Sequence, residues 1–196
     1  MPDELMEQIP YPALDDLIRW LETEQVPYTI IGGLSVSILS QPRPTIDVDL
    51  VVWLDPETWQ HFLESGEKFG IVPRRADAME FAKQRRVLLL QHTATKIGID
   101  VSFAALPFEE EMIRRSQNVE LGNIRLRVAT PEDVIIMKMI AHRDKDLRDI
   151  DNIMNVHPDL DFDRIKDWVS QFAEVLETPE LNDELLKLIK SHQENQ

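Results

Sequence analysis

Asp47 and Asp49 are the residues of this chain best suited to do chemistry. They open the apolar run Asp47-Val48-Asp49-Leu50-Val51-Val52, which reads as a strand, and alternate side chains of a strand share a face. Both carboxylates therefore point one way, while Ile46, Val48, Leu50 and Val52 point into the core. At about 6–7 Å apart along the strand they repel each other unless a cation lies between them. Hard divalent ions such as magnesium take oxygen donors of this kind, completed by phosphate oxygens of a substrate. An Asp-x-Asp in a chain with 36 acidic residues can also be the solvated face of an edge strand. Two observations weigh against that: Asp is disfavoured in strand interiors, and Arg43-Pro44-Thr45 sets a cation and a hydroxyl at the strand's entrance.

Upstream, the short run Tyr28-Thr29-Ile30-Ile31 ends at Gly32-Gly33, and a helix of small and apolar residues follows. Glycines let backbone approach a ligand closely, and N–H groups at a helix start favour phosphate. Ser35, in the first turn, would add a hydroxyl. A third carboxylate, Asp100, lies on the polar face of a second strand together with Gly98 and Ser102, opposite Ile97, Ile99, Val101 and Phe103. These residues would form a site for a triphosphate and two magnesium ions. One ion bridges the phosphates; the other lowers the pKa of an attacking hydroxyl. Asp100 would serve as general base or as a ligand of the second ion.

The elements that must position these groups follow from periodicity and turn residues. Helical spacing of Leu14, Leu17, Ile18 and Leu21 predicts an amphipathic helix over 12–24. Strands are expected at 28–31, 46–53, 87–92 and 97–103, the last two as an antiparallel hairpin, and a smaller hairpin at 119–128 turning at Gly122-Asn123. Helices are expected over 34–40, 56–69, 76–83 and 108–116. From Thr130, a capping hydroxyl before Pro131, four helices follow at 134–142, 144–156, 163–176 and 179–192. The composition thus shifts near Ala129, from a mixed half to a helical half.

The 43% hydrophobic content suffices for a core, and no window approaches the length of a membrane-spanning helix. Cysteine is absent, which excludes disulfides and thiolate metal sites. Together with an acidic N-terminus, these features point to the cytosol. The formal charge of −15 argues against broad binding of nucleic acid through its phosphates. Basic residues cluster only locally, at Arg74-Arg75, 83–86, Arg114-Arg115, 125–127 and 138–148.

The order strand, Gly32-Gly33, helix, then Asp47-x-Asp49 on the next strand resembles the nucleotidyltransferase superfamily typified by DNA polymerase beta, with Asp100 matching its third carboxylate. The string from Gly33 through Arg43-Pro44-Thr45-Ile46-Asp47-Val48-Asp49 is similar to small bacterial nucleotidyltransferases of abortive-infection and toxin–antitoxin type. A C-terminal counterpart runs from Thr130-Pro131-Glu132-Asp133 to Lys138, then from Arg143 to Ile150. The resemblance spans about residues 28–155. It implies an α/β (α+β) fold: a mixed-sheet nucleotidyltransferase core, 1–129, and a C-terminal helical subdomain, 130–196, with a nucleotide cleft between them. It also implies transfer of a nucleoside monophosphate from an NTP to an acceptor hydroxyl, with release of pyrophosphate.

On this expectation Asp47, Asp49 and Asp100 are catalytic and metal-binding, and Gly32, Gly33, Ser35, Arg43, Thr45, Lys138 and Arg143 bind the nucleotide. Lys138 suits the triphosphate as a point charge and Arg143 as a bidentate grip; both could equally be solvated helix residues. Asp146 and Asp149 share a helical face, to orient Arg143 or Lys145 or simply to be solvated. The histidines lack ligand spacing for zinc, and the tryptophans fit packing better than base stacking. The acceptor is open: a small molecule, an RNA end or a protein. Two alternatives stand beside the general reaction. One is a noncatalytic partner protein of a toxin–antitoxin pair; the other is an enzyme that modifies aminoglycosides, whose cationic substrate an acidic site would attract.

Overall fold

A computed structural model describes residues 9–42, 44, 45 and 47–194 of the chain. Arg43, expected at the nucleotide, and Ile46, expected in the core, lie outside the described residues. The chain divides into two compact units, one running up to Ile38 and resuming over Pro42–Ala129, the other comprising Leu39–Gln41 and the chain from Thr130 onward.

The first unit is built on helix α1 (Tyr11–Thr23), strand β1 (Tyr28–Ile31), helix α2 (Gly32–Leu39, its last residue in the other unit) and strand β2 (Asp47–Val52). Helix α3 (Trp59–Ser65), strand β3 (Ile71–Pro73), helix α4 (Ala78–Arg85) and strands β4 (Val87–His92) and β5 (Gly98–Phe103) follow. Helix α5 (Pro107–Arg115) and strands β6 (Gln117–Leu121) and β7 (Ile124–Val128) complete it. The seven strands form one mixed sheet in the order β3-β4-β5-β2-β1-β7-β6. β2 runs antiparallel to β1 and parallel to β5. It is therefore a central strand, and its carboxylates are not the solvated fringe of a sheet edge.

Alternation along β2 and β5 separates a core face from a polar one. Val48, Leu50 and Val52 stand beside Ile99, Val101 and Phe103, all buried. Trp59 stacks on Phe103, with ring centroids 3.8 Å apart, and Trp20 stacks on Phe62 at 4.0 Å. These two indoles are buried core anchors, as expected of tryptophans that fit packing better than base stacking.

Two elements depart from expectation. The helix expected over 56–69 is three pieces: a 3-10 turn at Pro56–Thr58, α3, and a 3-10 turn at Gly66–Phe69. Gly66, a weak helix former, falls at the second junction. Strand β3 was not anticipated; three residues ending in proline carry no readable period. It exists because Ile71 and Val72 pair with His92 and Gln91, and Pro73 is tolerated there because β3 is an edge strand.

The second unit holds α6 (Pro131–Ala141), α7 (Asp144–Val156), α8 (Phe162–Val175) and α9 (Glu180–Glu194). Thr130 caps α6, its hydroxyl accepting from the Asp133 N–H at 3.3 Å. No helix among the described residues is long and apolar enough to cross a membrane.

Candidate active site

Three carboxylates share one face of the central sheet. The parallel register sets Asp49 directly beside Asp100, and Asp47 beside Gly98. Adjacent strands lie about 4.8 Å apart, so Asp49 and Asp100 are neighbours across the strands as Asp47 and Asp49 are neighbours along one. Asp47 is exposed; Asp49 and Asp100 are half-buried.

Two glycines make room for this crowd. Gly32 has φ +67°, and a methyl group there would stand 2.7 Å from the carboxyl carbon of Asp49. The Asp49 side chain thus lies directly on the turn that opens α2. Gly98 leaves space on β5 for its neighbours: a methyl group there would lie 2.5 Å from Asp47 Oδ1 and 3.1 Å from Arg74 Nη1. The expected outcome of Gly32→Ala is a loss of stability on the order of 2–4 kcal/mol, from the left-handed backbone and the overpacked carboxylate. Urea denaturation checks this; an unchanged midpoint would mean that Asp49 does not rest on the turn.

Arg74, immediately after β3, reaches the same face. Its backbone N–H donates to the Leu89 carbonyl at 2.9 Å, and its Nη2 donates to Asp100 Oδ1. Burial pushes the Asp100 carboxyl above the usual carboxylate range; the Arg74 charge opposes this and the Asp47 charge adds to it. Neither Arg74 nor Gly98 was expected as part of the site. A glycine inside a strand was the readable signal for Gly98, since it marks close approach of a neighbour. Arg74 had only its place in a local basic cluster.

The hydroxyls expected at the phosphates, those of Ser35 and Thr45, are turned to the backbone, as is that of Ser37. Ser35 is fully buried and donates to the Gly32 carbonyl at 2.8 Å; Ser37 donates to the Gly33 carbonyl at 3.1 Å. Thr45 donates to the Asp47 carbonyl at 3.0 Å. All three brace the ends of the elements that carry the glycines and aspartates.

The donor set suits a hard divalent cation: carboxylate oxygens, with neither thiolate nor imidazole on this face. Among the described residues, no three His, Asp or Glu side chains gather closely enough to chelate one ion.

The sequence matches the profile described as "Nucleotidyltransferase of unknown function (DUF6036)" over residues 12–194. The chain belongs to that family. No curated protein matches its sequence. Among solved structures, it is similar to an antigenic nucleotidyltransferase-like protein from Paracoccidioides brasiliensis, at TM-score 0.55 and 16% identity, covering 93% of this chain and 92% of that one. It is also similar to the antibiotic-resistance factor ANT(2'')-Ia, at TM-score 0.56 and 13% identity, covering 86% and 93%. The lincosamide antibiotic adenylyltransferase LnuA, solved with lincomycin bound, gives TM-score 0.53 and 15% identity over 76% and 99%. At these identities the likeness is one of fold.

In this DUF6036 chain the helical unit treats its charged residues differently from expectation. Lys138, expected at the triphosphate, is buried, and its ammonium donates to Asp146 Oδ1 at 3.0 Å and to Asp149 Oδ2 at 2.6 Å. Asp146 and Asp149 are themselves buried, not solvated. Arg143 donates from Nε to Asp146 Oδ2 at 2.5 Å, yet its side chain is 61% exposed. A second buried pair joins Arg164 on α8 to Asp133 on α6, at 2.7 Å. The helical unit of this chain is therefore tied together by ion pairs as well as by its apolar faces.

Proposed function

We propose that this chain is a metal-dependent nucleotidyltransferase that moves a nucleoside monophosphate from an NTP to an acceptor hydroxyl and releases pyrophosphate. One observation carries the proposal: Asp49 stands beside Asp100, with Asp47 two residues away on the same strand and the glycine turn of α2 beneath Asp49. Membership in a nucleotidyltransferase family supports it.

Asp47 and Asp49 would hold the divalent ion, and the backbone at Gly32-Gly33 would receive phosphate oxygens at the start of α2. The ion, when bound, screens the triphosphate and lowers the pKa of the acceptor hydroxyl. Asp100 takes the hydroxyl proton as the acceptor oxygen forms its bond to the α-phosphorus. The bond from that phosphorus to the pyrophosphate oxygen breaks, and pyrophosphate departs. A carboxylate raised by burial accepts that proton more readily than an ordinary one. Ser35 and Thr45 act by bracing the turn and the strand entrance. In the helical unit, Lys138 serves as the internal counter-ion of Asp146 and Asp149.

Two fold neighbours are named for antibiotics, one a resistance factor and one an adenylyltransferase with lincomycin bound. The charge of −15 also favours a cationic acceptor. Hydroxylated antibiotics are therefore the first acceptors to try, aminoglycosides before lincosamides. Purified protein is incubated with magnesium, each of the four α-labelled NTPs, an antibiotic panel and a cell extract. A labelled product is expected with one NTP, and its size class assigns the acceptor. No label with any NTP would reject the transferase in favour of a noncatalytic partner protein.

A further inference from the structure

We propose that Thr95 is itself an acceptor hydroxyl: Asp16 and His92 make it a nucleophile, and a second copy of this chain transfers a nucleoside monophosphate to it. This rests on the nucleotidyl-transfer reading above and names a protein hydroxyl as an acceptor for that site.

Three side chains from separate elements form a line. Asp16 lies on α1, His92 ends β4, and Thr95 lies in the turn from β4 to β5. His92 Nε2 stands 3.1 Å from Asp16 Oδ2, and Nδ1 stands 2.9 Å from Thr95 Oγ1. An ionised carboxylate only accepts, so the ring proton is carried on Nε2, and Nδ1 accepts the Thr95 hydroxyl hydrogen. The other Asp16 oxygen accepts from Arg19 at 3.3 Å, which steadies the carboxylate. The Thr95 oxygen also accepts the Ile97 N–H at 3.4 Å, which directs its hydrogen to the ring. His92 is buried, whereas the turn is exposed from Thr93 to Lys96. A buried base oriented by a carboxylate therefore holds a hydroxyl that a reagent can reach from solvent.

The carboxylate site lies on the other side of the sheet. Gln91 is the register partner of Gly98 and Leu89 that of Asp100, so these side chains share the carboxylate face. His92 follows Gln91 and points the opposite way, with buried Leu88 and Leu90, toward α1. The chain's own carboxylates thus face away from Thr95, and the NTP must be presented by another copy. In the transfer, Thr95 Oγ1 forms a bond to the α-phosphorus and its proton passes to His92 Nδ1. The bond from that phosphorus to the pyrophosphate oxygen breaks, and pyrophosphate leaves with the electron pair. His92 replaces Asp100 as proton acceptor because it already holds the hydroxyl hydrogen. Asp16 is a positioning residue: it fixes the tautomer and stabilises the imidazolium that forms.

The test incubates the full chain with magnesium and each α-labelled NTP, then maps the labelled chain by peptide mass spectrometry. A nucleoside monophosphate on Thr95 is expected. Label on another residue instead, or label undiminished in Thr95→Val, would overturn the inference. His92→Gln is expected to slow self-labelling about a hundredfold; an unchanged rate would overturn the role of His92. A tagged Asp49→Asn chain mixed with wild type should become labelled. An unlabelled tagged chain beside a labelled wild type would overturn transfer between copies. A labelled antibiotic or extract component with an unlabelled chain would overturn this inference and leave the transferase in place. No label anywhere would reject both. A readout without metal or nucleotide is the nitrogen NMR spectrum of His92 at mildly alkaline pH. A proton on Nε2 is expected, with a bare Nδ1 whose signal moves in Thr95→Val; a proton on Nδ1 would overturn the relay. Asp16→Ala is expected to populate both tautomers, and an unchanged ring would remove Asp16 from its role. Thr95 is exposed, so thermal melts of Thr95→Val and wild type are expected to coincide.

Discussion

Asp49→Asn is expected to lower nucleotidyl transfer by about a thousandfold, roughly 4 kcal/mol of transition-state stabilisation, while the melting temperature holds or rises. Asp47→Asn should behave alike. The two readouts part because the carboxylates serve different ends in each. For turnover, on the proposed mechanism, the anionic oxygens would hold the ion that neutralises the triphosphate, and a neutral amide would do this poorly. For stability they are a liability: Asp47, Asp49 and Asp100 crowd one face, and like charges at such distances repel. Asparagine keeps the shape that rests on Gly32 and removes one charge from the cluster. Labelled-NTP turnover and a thermal melt on the same preparation check both halves. Retained turnover in both variants would remove the metal site from the mechanism.

Lys138→Met should cost stability, about 3–5 kcal/mol and a melting temperature lower on the order of 10 °C. Methionine keeps the stem's volume but leaves Asp146 and Asp149 buried without the ammonium they share. The pH dependence follows from Asp146. Burial by itself raises this carboxyl, but hydrogen bonds from Arg143 and Lys138, together with their charges, outweigh it and hold it below the usual carboxylate range. A depressed folded value contributes stability that is fully present above the unfolded value of about 3.9. That contribution is lost as the pH falls from there through the folded value. Removing Lys138 lifts the folded value, so the acid-unfolding midpoint moves to higher pH. Circular dichroism through an acid titration reads this directly. Coincident acid transitions in wild type and Lys138→Met would show that the pair contributes nothing to the helical unit.

These two effects separate the residues whose placement could be read along the chain from those whose placement could not. The periods of the longer strands, the glycine turn that opens α2 and the Thr130 cap are local signals, each settled within a few residues, and they appear where expected. The alternation Asp47-Val48-Asp49-Leu50 alone dictates that both carboxylates leave the core together. Lys138 shows the other case. It sits in the apolar helical run 134–141, and nothing local reports that two aspartates from α7 meet its ammonium. Asp146 and Asp149 were legible only as a shared helical face, to orient Arg143 or Lys145 or to be solvated; Asp146 does accept from Arg143, but the burial of both and their bonds to Lys138 were not readable. Ser35 sat at the right place for a phosphate contact, yet the Gly32 carbonyl within its own turn holds its hydroxyl.

The sequence by itself determined the faces: which side chains of β2 and β5 lie in the core, where the backbone must turn on glycine, and where the mixed half yields to helices. Periods of 2 and 3.6 are properties of the backbone, and burial of the apolar set then leaves the polar set one direction to point. Only the tertiary structure decided who stands beside whom. A shift of the β2–β5 pairing by two residues would keep every apolar side chain buried and still part Asp49 from Asp100. Bringing Arg74, just beyond a three-residue edge strand, onto Asp100, and Lys138 between two aspartates, likewise required the whole fold. Such pairings join residues far apart in the chain, and their energy exists only once the intervening elements have packed.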